Sequence, residues 1–214
     1  MKSIVILDFG SVFVDDIKRV LNRWFITSYI LPFDVSLEDI LDIRPSGIIL
    51  SGSPDRLSEN LRYEKEERES LKSVPLHGVP ARRPHPGVYN LSIPILGICY
   101  GHQLIAEHYG IKVQSIPNKD RKVGMYDVHV IEESPIFEGI PTVFPAFFAN
   151  NDYVPKAPPG FTVLARSQDV PVAAMQNGNV FGVQFHPEAD KDGVSVQVLK
   201  NFVEYAFQSK SYDE

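Results

Sequence analysis

The residues best suited to chemistry in this chain begin with Cys99. An apolar run ends in Gly97-Ile98-Cys99-Tyr100-Gly101, and a helical pattern follows at once. This spacing predicts a nucleophile elbow (residues 97–101), in which a strand delivers Cys99 to a tight turn before a helix. Glycine is needed on both sides because bulky neighbours would clash. The positive end of the helix dipole favours the thiolate, so we interpret Cys99 as a nucleophile.

A second chemical segment is His186-Pro187-Glu188. A histidine and a carboxylate two residues apart can project to the same side, where the carboxylate fixes the imidazole tautomer. With Cys99 they supply a nucleophile, a base and an orienting group. The predicted chemistry is acyl transfer: Cys99 attacks a carbonyl, His186 carries a proton to the leaving amine, and water later hydrolyses a thioester.

Such a reaction also needs two N–H donors for the developing oxyanion. The backbone amide of Tyr100, directly after the nucleophile, is one candidate. The loop Ser51-Gly52-Ser53-Pro54 follows a predicted strand and can bring the amide of Ser53 as the other. Each donor of this kind contributes about 3 kcal/mol to lowering the barrier.

Alternating strands and helices are predicted to position these groups. Short apolar runs that alternate with amphipathic helices predict a parallel sheet covered on both faces, with ligands beyond the carboxyl ends of its strands. The predicted strands are 3–8, 29–31, 47–50, 94–98, 111–113, 123–131, 142–149, 161–165, 172–175 and 180–185. The predicted helices are 12–24, a short one after Ser36, one after Cys99, and a final one from Val194 to Val203. The Asn177-Gly178 pair predicts a hairpin.

Two segments between the third strand and the elbow stand apart. Residues 55–73 are rich in charge and predict a solvated helix. Residues 74–92 carry four prolines and predict a long loop without regular structure, either disordered or a lid. The basic cluster Arg82-Arg83 beside His85 is interpreted as part of a solvated loop, with a phosphate or an acidic partner surface as the alternative.

Composition limits the classes of function. With 214 residues and 43% apolar content, we expect one domain over 1–214, with 74–92 as an inserted loop. A net charge of −6 argues against a nucleic-acid partner. Cys99 is the single cysteine, so an internal disulfide is excluded and a reducing, cytoplasmic setting is expected. The apolar N-terminal run is too short to cross a membrane. We expect no metal and no cofactor, since the histidine spacing fits no metal template.

Three segments together, 48–54, 96–103 and 182–188, resemble the class I (triad) glutamine amidotransferases. Within that class the chain is most similar to the glutaminase domain of GMP synthetases, through Asp8-Phe9-Gly10-Ser11 and the Cys-Tyr-Gly form of the elbow. The resemblance implies a three-layer, flavodoxin-like α/β fold: a mainly parallel sheet flanked by helices, with a small additional antiparallel β region. It also implies hydrolysis of glutamine and delivery of ammonia to a synthase.

The resemblance carries roles over to individual residues. It makes Cys99, His186 and Glu188 the triad, and it places Gly52 and Gln103 in the substrate site. The family's loop that holds the substrate corresponds here to Asn150, Asn151 and Asp152, of which only Asp152 matches the GMP synthetase pattern. No Ser-Gly-Gly-x-Asp-Ser pyrophosphate loop occurs, so a synthase partner would be a separate chain.

Two alternatives remain open at this point. The chain would be a γ-glutamyl peptidase if the altered loop and the insertion make room for a peptide or conjugate. It would be a non-catalytic, amidotransferase-like regulatory module if the chain keeps the fold but has lost the activity. Activity on γ-glutamyl peptides separates the first from a glutaminase, and selective labelling of Cys99 by a glutamine-like electrophile separates the second.

Overall fold

A computed structural model describes residues 2–60, 81–116, 122–190 and 192–209. In chain order its strands are β1 (Ser3–Asp8), β2 (Thr27–Pro32), β3 (Gly47–Leu50), β4 (Ile95–Ile98), β5 (Gln114–Ser115), β6 (Lys122–Val130), β7 (Val143–Asn150), β8 (Asp152–Tyr153), β9 (Thr162–Ser167), β10 (Val170–Asn177) and β11 (Val180–Val183). The α-helices with described bounds are α1 (Val14–Arg23), α2 (Leu37–Ile43), α3 (Tyr100–His108) and α4 (Val196–Gln208). Residues 57–60 are also helical, and 3-10 turns cover Pro86–Asn90, Pro135–Phe137 and Pro187–Ala189.

One nine-stranded sheet, in the order β2-β1-β3-β4-β11-β10-β9-β6-β7, forms the middle layer. The strands from β2 to β11 in this order pair in parallel, and those from β11 to β7 pair antiparallel. A separate two-stranded antiparallel sheet joins β5 to β8. The predicted fold class, an α/β sheet flanked by helices with a small antiparallel addition, is confirmed.

Side chains of β1 alternate between two apolar clusters, one on each face of the sheet. Ile4 and Ile6 pack into the cluster that α1 and α4 cover, whereas Val5 and Leu7 pack into the cluster that α2 and α3 cover. Because both faces are buried, β1 is apolar from Ile4 to Leu7, and β3 and β4 carry no polar side chain, so these strands are continuous hydrophobic runs. The three layers therefore follow from strand pattern and helix amphipathicity together.

Two glycines adopt left-handed conformations at turns. Gly110 follows the end of α3 with φ of +88°, which glycine adopts without strain. Gly178, with φ of +53°, lies in the tight connection between the antiparallel strands β10 and β11. The hairpin predicted from Asn177-Gly178 is thus confirmed.

Two expectations about local structure are wrong. Residues 111–113 are not a strand. Ile111 and Val113 are apolar because their side chains are buried in the core, and the strand comes just after them, at 114–115. The segment 74–92 is not wholly irregular, since 86–90 forms a 3-10 turn. Pro86 stands at its start, where the missing N–H costs nothing, and the His85 ring accepts a hydrogen bond from the Gly87 amide at 3.1 Å. Residues 74–80, and 61–73 of the expected solvated helix, lie outside the described residues.

The elbow requires glycine at positions 97 and 101 because no space is left there for a side chain. A Cβ on Gly101 would lie 2.3 Å from the backbone oxygen of Leu50, and one on Gly97 would lie 2.5 Å from the carbonyl carbon of Gly101. Helix α3 therefore meets β3 and β4 at backbone distance. This close approach brings the start of α3 directly beside the carboxyl end of the neighbouring strand.

We expect Gly101→Ala to lower the free energy of unfolding by about 3 kcal/mol, because the atom in its way is backbone and cannot rotate aside. Equilibrium urea denaturation followed by fluorescence measures this change. Gly110→Ala is the matched control, because a Cβ there meets nothing within 4 Å. The free energy of unfolding should fall by only about 1 kcal/mol, which is the cost of the left-handed backbone for alanine. Equal losses in the two variants would contradict the steric explanation.

Candidate active site

Three adjacent parallel strands carry the candidate site at their carboxyl ends. The loop 51–54 follows β3, Cys99 follows β4, and His186 lies shortly after β11, which is the next strand in the sheet. Since carboxyl ends of parallel strands meet at one edge, segments far apart in sequence become neighbours. The sequence motifs are therefore brought together by strand order.

Cys99 occupies the predicted elbow between β4 and α3. Its backbone has φ of 53° and ψ of −98°, an uncommon conformation for a residue that is not glycine. A hydrogen bond from its N–H to the carbonyl oxygen of Val183, 2.8 Å long, ties the turn to β11. The side chain is nearly buried, with 4% exposure, at the N-terminus of α3. The predicted strand, turn and helix are confirmed.

His186 joins Cys99 to Glu188. The imidazole Nδ1 lies 2.8 Å from Oε1 of Glu188, whose side chain is fully buried. The Cys99 side chain lies near the His186 ring, since a Cβ on Gly52 would come within 3.1 Å of His186 Cε1 and 3.8 Å of the Cys99 Cβ, and the two side chains interact electrostatically. The backbone N–H of His186 donates to the carbonyl oxygen of Phe147 at 2.7 Å, which fixes the direction from which the ring approaches. The structure thus assembles the three predicted triad residues in the predicted order.

The electrostatics of His186 are set by its two partners. Burial disfavours a charged imidazole, but the Glu188 carboxylate and the Cys99 sulfur outweigh burial and raise the pKa of His186 above its usual value. The ring also packs against the rings of Phe13 and Phe147, with centroid distances of 4.8 and 6.5 Å. A protonated imidazole held between the Cys99 sulfur and a carboxylate is poised to deliver its proton to a leaving group.

The first predicted oxyanion donor is the amide of Tyr100. Because α3 begins at Tyr100, this N–H has no acceptor within the helix. The carbonyl oxygen of Ser51 accepts a hydrogen bond from the amide of Gly101 at 3.1 Å, and the Ser51 hydroxyl accepts one from Phe9 at 3.0 Å. These bonds fix the loop after β3 against the start of the helix.

The second predicted donor, Ser53, lines the same small pocket as Cys99 and Tyr100. Its hydroxyl accepts a hydrogen bond from the amide of Asp55 at 3.2 Å, so Ser53 closes a local turn. Gly52 packs directly on the triad: a Cβ there would lie 3.1 Å from Cε1 of His186. The absence of a side chain at Gly52 lets the loop approach the reacting groups.

The remaining predicted substrate residues form the opposite wall of this pocket. Gln103 donates from Nε2 to the carbonyl oxygen of Asp152 at 3.0 Å and to Oε1 of Gln184 at 3.2 Å. Asn150 donates to the same carbonyl oxygen at 2.9 Å, and its Oδ1 is buried with no hydrogen bond among the described residues. The free Oδ1 of Asn150 is an acceptor beside the pocket.

The Asp152 carboxylate is engaged by the protein itself. Its two oxygens accept hydrogen bonds from the amide and hydroxyl of Ser58, at 2.9 and 2.8 Å, and from the hydroxyl of Ser115 at 3.1 Å. Asn151 is fastened in the same way, with its Oδ1 3.4 Å from a guanidinium nitrogen of Arg56. This geometry gives Asp152 and Asn151 the task of fixing the pocket wall; contact of either with substrate stays a prediction.

Several side chains that contact or lie near the site carry no signal in the sequence. Phe13, whose ring lies against His186, reads only as part of an amphipathic helix. Arg82 and Arg83 are not the solvated cluster that the sequence pattern predicts. Arg82 pairs with Asp55 at 3.3 Å and Arg83 pairs with Glu107 at 3.4 Å, so both guanidinium groups are half-buried against folded partners. These contacts depend on the tertiary path of the segment that carries Arg82 and Arg83, which sequence spacing does not reveal.

No group of three or more histidine, cysteine, aspartate or glutamate side chains with metal-binding geometry occurs in the described ranges. Within those same residues, every helix is too short or too polar to cross a lipid bilayer.

Comparison with known proteins agrees with the site geometry. The sequence model of the family "Glutamine amidotransferase class-I" matches residues 5–206. A GMP synthase (glutamine-hydrolysing) of Thermosipho melanesiensis is 36% identical over 95% of this chain, and one of Listeria innocua is 34% identical over 94%. These matches cover 36% and 35% of the two relatives, so the chain spans about a third of their length.

Solved structures show the same fold. One from Thermoplasma acidophilum, described as one of the subunits of a GMP synthase, has a TM-score of 0.76 and 26% identity, covering 97% of this chain and 94% of that one. A glutamine amidotransferase from Thermotoga maritima has a TM-score of 0.66 at 18% identity, covering 97% and 99%. The Thermoplasma match is with a chain of nearly the same extent.

Proposed function

Because this chain belongs to the class-I glutamine amidotransferase family, we propose that it hydrolyses the side-chain amide of glutamine with Cys99, His186 and Glu188. The observation that supports the proposal is the series of interactions that joins the elbow cysteine to His186 and His186 to the buried Glu188 carboxylate. Oε1 of Glu188 lies 2.8 Å from Nδ1 of His186. This chain of contacts supplies a nucleophile, a base and an orienting acid beside one small pocket.

The first half of the reaction makes a thioester. The Cys99 sulfur attacks the amide carbon, and the carbonyl oxygen becomes an oxyanion that the amides of Tyr100 and Ser53 stabilise. The tetrahedral centre then collapses: the C–N bond breaks, and His186 gives its proton to the nitrogen, which leaves as ammonia. The raised pKa of His186 keeps that proton available at neutral pH.

The second half releases glutamate. His186, now neutral, takes a proton from water, whose oxygen attacks the thioester carbon through the same oxyanion hole. The C–S bond breaks, the thiolate of Cys99 is restored, and the imidazolium is regenerated. Glu188 keeps the imidazole oriented through both halves, and its negative charge stabilises the imidazolium in each.

We further propose that the ammonia passes to a synthase that makes GMP. This protein corresponds to about a third of the GMP synthases it matches, and it corresponds to nearly all of the Thermoplasma chain described as one of the subunits of such an enzyme. The cytoplasm is the proposed location, because a single reactive cysteine is best preserved where thiols stay reduced.

The γ-glutamyl peptidase alternative needs room beyond the scissile amide. Here the pocket beside Cys99 is small, and Ser58 holds the Asp152 carboxylate in its wall through both its amide and its hydroxyl. That arrangement favours a small leaving group such as ammonia. The intact triad likewise favours catalysis over a purely regulatory role.

Glutamate release from L-glutamine and from a γ-glutamyl dipeptide tests the substrate. We expect the purified chain to favour glutamine by at least about tenfold in kcat/KM, because the dipeptide's leaving group must displace the pocket wall. The Cys99→Ala protein, prepared in parallel, subtracts any contaminating glutaminase. Faster cleavage of the dipeptide would establish the peptidase. Absence of both turnover and labelling by a glutamine-like diazoketone would establish a non-catalytic module.

A further inference from the structure

Arg82, in the insertion, reaches two loops at the edge of the sheet that carries the site. Its Nη1 donates to the carbonyl oxygen of Phe9 at 2.8 Å, and its Nε lies 3.3 Å from Oδ2 of Asp55. Its own carbonyl oxygen accepts a hydrogen bond from the hydroxyl of Tyr100 at 3.2 Å. One residue thus links the loop after β1, the loop after β3 and the residue next to the nucleophile.

Asp55 connects this linkage to the oxyanion loop. Its backbone amide donates to the hydroxyl of Ser53, so the ion pair with Arg82 lies one hydrogen bond from the predicted second oxyanion donor. Both Ser53 and Asp55 line the small pocket that Cys99 opens onto. A shift of Asp55 would therefore be transmitted to the amide that must face the oxyanion.

The surroundings of Arg82 are shaped for a guanidinium. Gly10 has φ of +88°, and a Cβ there would lie 2.3 Å from Nη1, so the group occupies space that only glycine leaves. On another side the guanidinium carbon lies 5.9 Å from the centre of the Phe33 ring. A carbonyl oxygen, a carboxylate and an aromatic face together match the planar, many-donor arginine and not lysine.

We propose that Arg82 is a positioning residue for the oxyanion hole, holding the loop 51–55 so that the Ser53 amide faces the developing charge. This inference rests on the proposed function. Arg82 touches no reacting atom, and its effect falls on the tetrahedral step rather than on the nucleophilicity of Cys99. The sequence pattern predicts a solvated side chain at this position, whereas the contacts of Arg82 give it a role in transition-state stabilisation.

Arg82→Met and Arg83→Met form the test pair. Arg83 lies on the same segment and has an ion pair of its own with Glu107, which belongs to helix α3. We expect Arg82→Met to lower kcat for glutamine about tenfold to a hundredfold, with little change in KM. The Ser53 amide binds the oxyanion, which develops in the transition state, so a misplaced amide weakens transition-state binding more than substrate binding. Arg83→Met should keep a kcat close to that of the wild type.

Alkylation of Cys99 by iodoacetamide separates positioning from general damage. Displacement of iodide creates no oxyanion, so its rate should be the same in the Arg82→Met protein and in the wild type. Arg82→Lys should recover part of the lost kcat, since it keeps the charge opposite Asp55 but not the second donor. Asp55→Asn should lower kcat similarly, and the double variant should lose less than the product of the two effects.

Three results would overturn the inference: an unchanged kcat in Arg82→Met, an equal loss in Arg83→Met, or a parallel fall in the alkylation rate. If Arg82→Met does not fold, Asp55→Asn carries the same test through the partner of the ion pair. A wild-type protein that releases no glutamate would instead refute the proposed function, so the two failures are distinguishable.

Discussion

Replacement of Cys99 by alanine is expected to lower glutamine hydrolysis by a factor of about 10⁴ or more, the largest effect of any single change. Cys99 is the only cysteine of the chain, and it stands at the elbow within reach of His186. Without sulfur no thioester forms, and the oxyanion donors can only assist direct attack by water. Glutamate release measures the loss, and rapid acid quenching followed by mass spectrometry detects the glutamyl thioester in the wild type alone.

Alanine keeps the Cβ and the same strained backbone at position 99, so its fold and stability should match those of the wild type. Urea denaturation of both proteins is the control. A variant that retains more than about a thousandth of the wild-type rate in a preparation free of contaminating glutaminase would show that Cys99 is not the nucleophile. Failure to detect a glutamyl thioester on the wild-type protein would lead to the same conclusion.

The elbow was predictable because its requirements are local. Cys99 must lie between glycines since α3 crosses β3 at backbone distance, and the structure shows that a Cβ on Gly101 would meet Leu50 at 2.3 Å. His186-Pro187-Glu188 is equally local, because two residues of separation suffice to place Nδ1 beside the carboxylate. Chemistry that depends on neighbours in the chain is visible in the sequence.

The order of the strands is less local, and only part of it was predictable. The sequence indicates a parallel sheet, but not that β11 lies beside β4, which brings His186 to Cys99. That neighbourhood was expected only through the resemblance to a family. The contacts of Arg82 and the anchoring of Asp152 were not predicted at all, because they join segments dozens of residues apart through side chains with no periodic pattern.

These long-range contacts share one physical role. Ser51, Asp55 and Asp152 each accept hydrogen bonds or pair with a charge from another segment, and each fixes a loop that carries a reacting or binding group. Catalysis by preorganised donors needs loops that do not relax when charge develops. The site therefore depends on two sets of residues: those that react, which the motifs reveal, and those that hold them, which only the fold reveals.

Replacement of His186 by asparagine is the second large effect, with an expected loss of about 10³- to 10⁴-fold in kcat/KM. The variant lacks both the proton donor for ammonia and the positive charge beside the Cys99 sulfur. Glutamate release and the rate of iodoacetamide alkylation, measured at mildly acidic pH, should therefore fall together. His129→Asn is the matched control, because His129 is an exposed strand residue away from the pocket and should leave both rates unchanged.

The pH profile connects this prediction to Glu188. The carboxylate and the sulfur raise the pKa of His186, so the imidazolium persists above its usual range and the alkaline fall in wild-type activity should reflect the loss of that proton. Glu188→Gln keeps the shape but removes the charge, which lowers the pKa of His186. Its alkaline limb should then move to lower pH, with kcat reduced about a hundredfold. An alkaline limb that stays in place would mean that Glu188 orients His186 without controlling its charge.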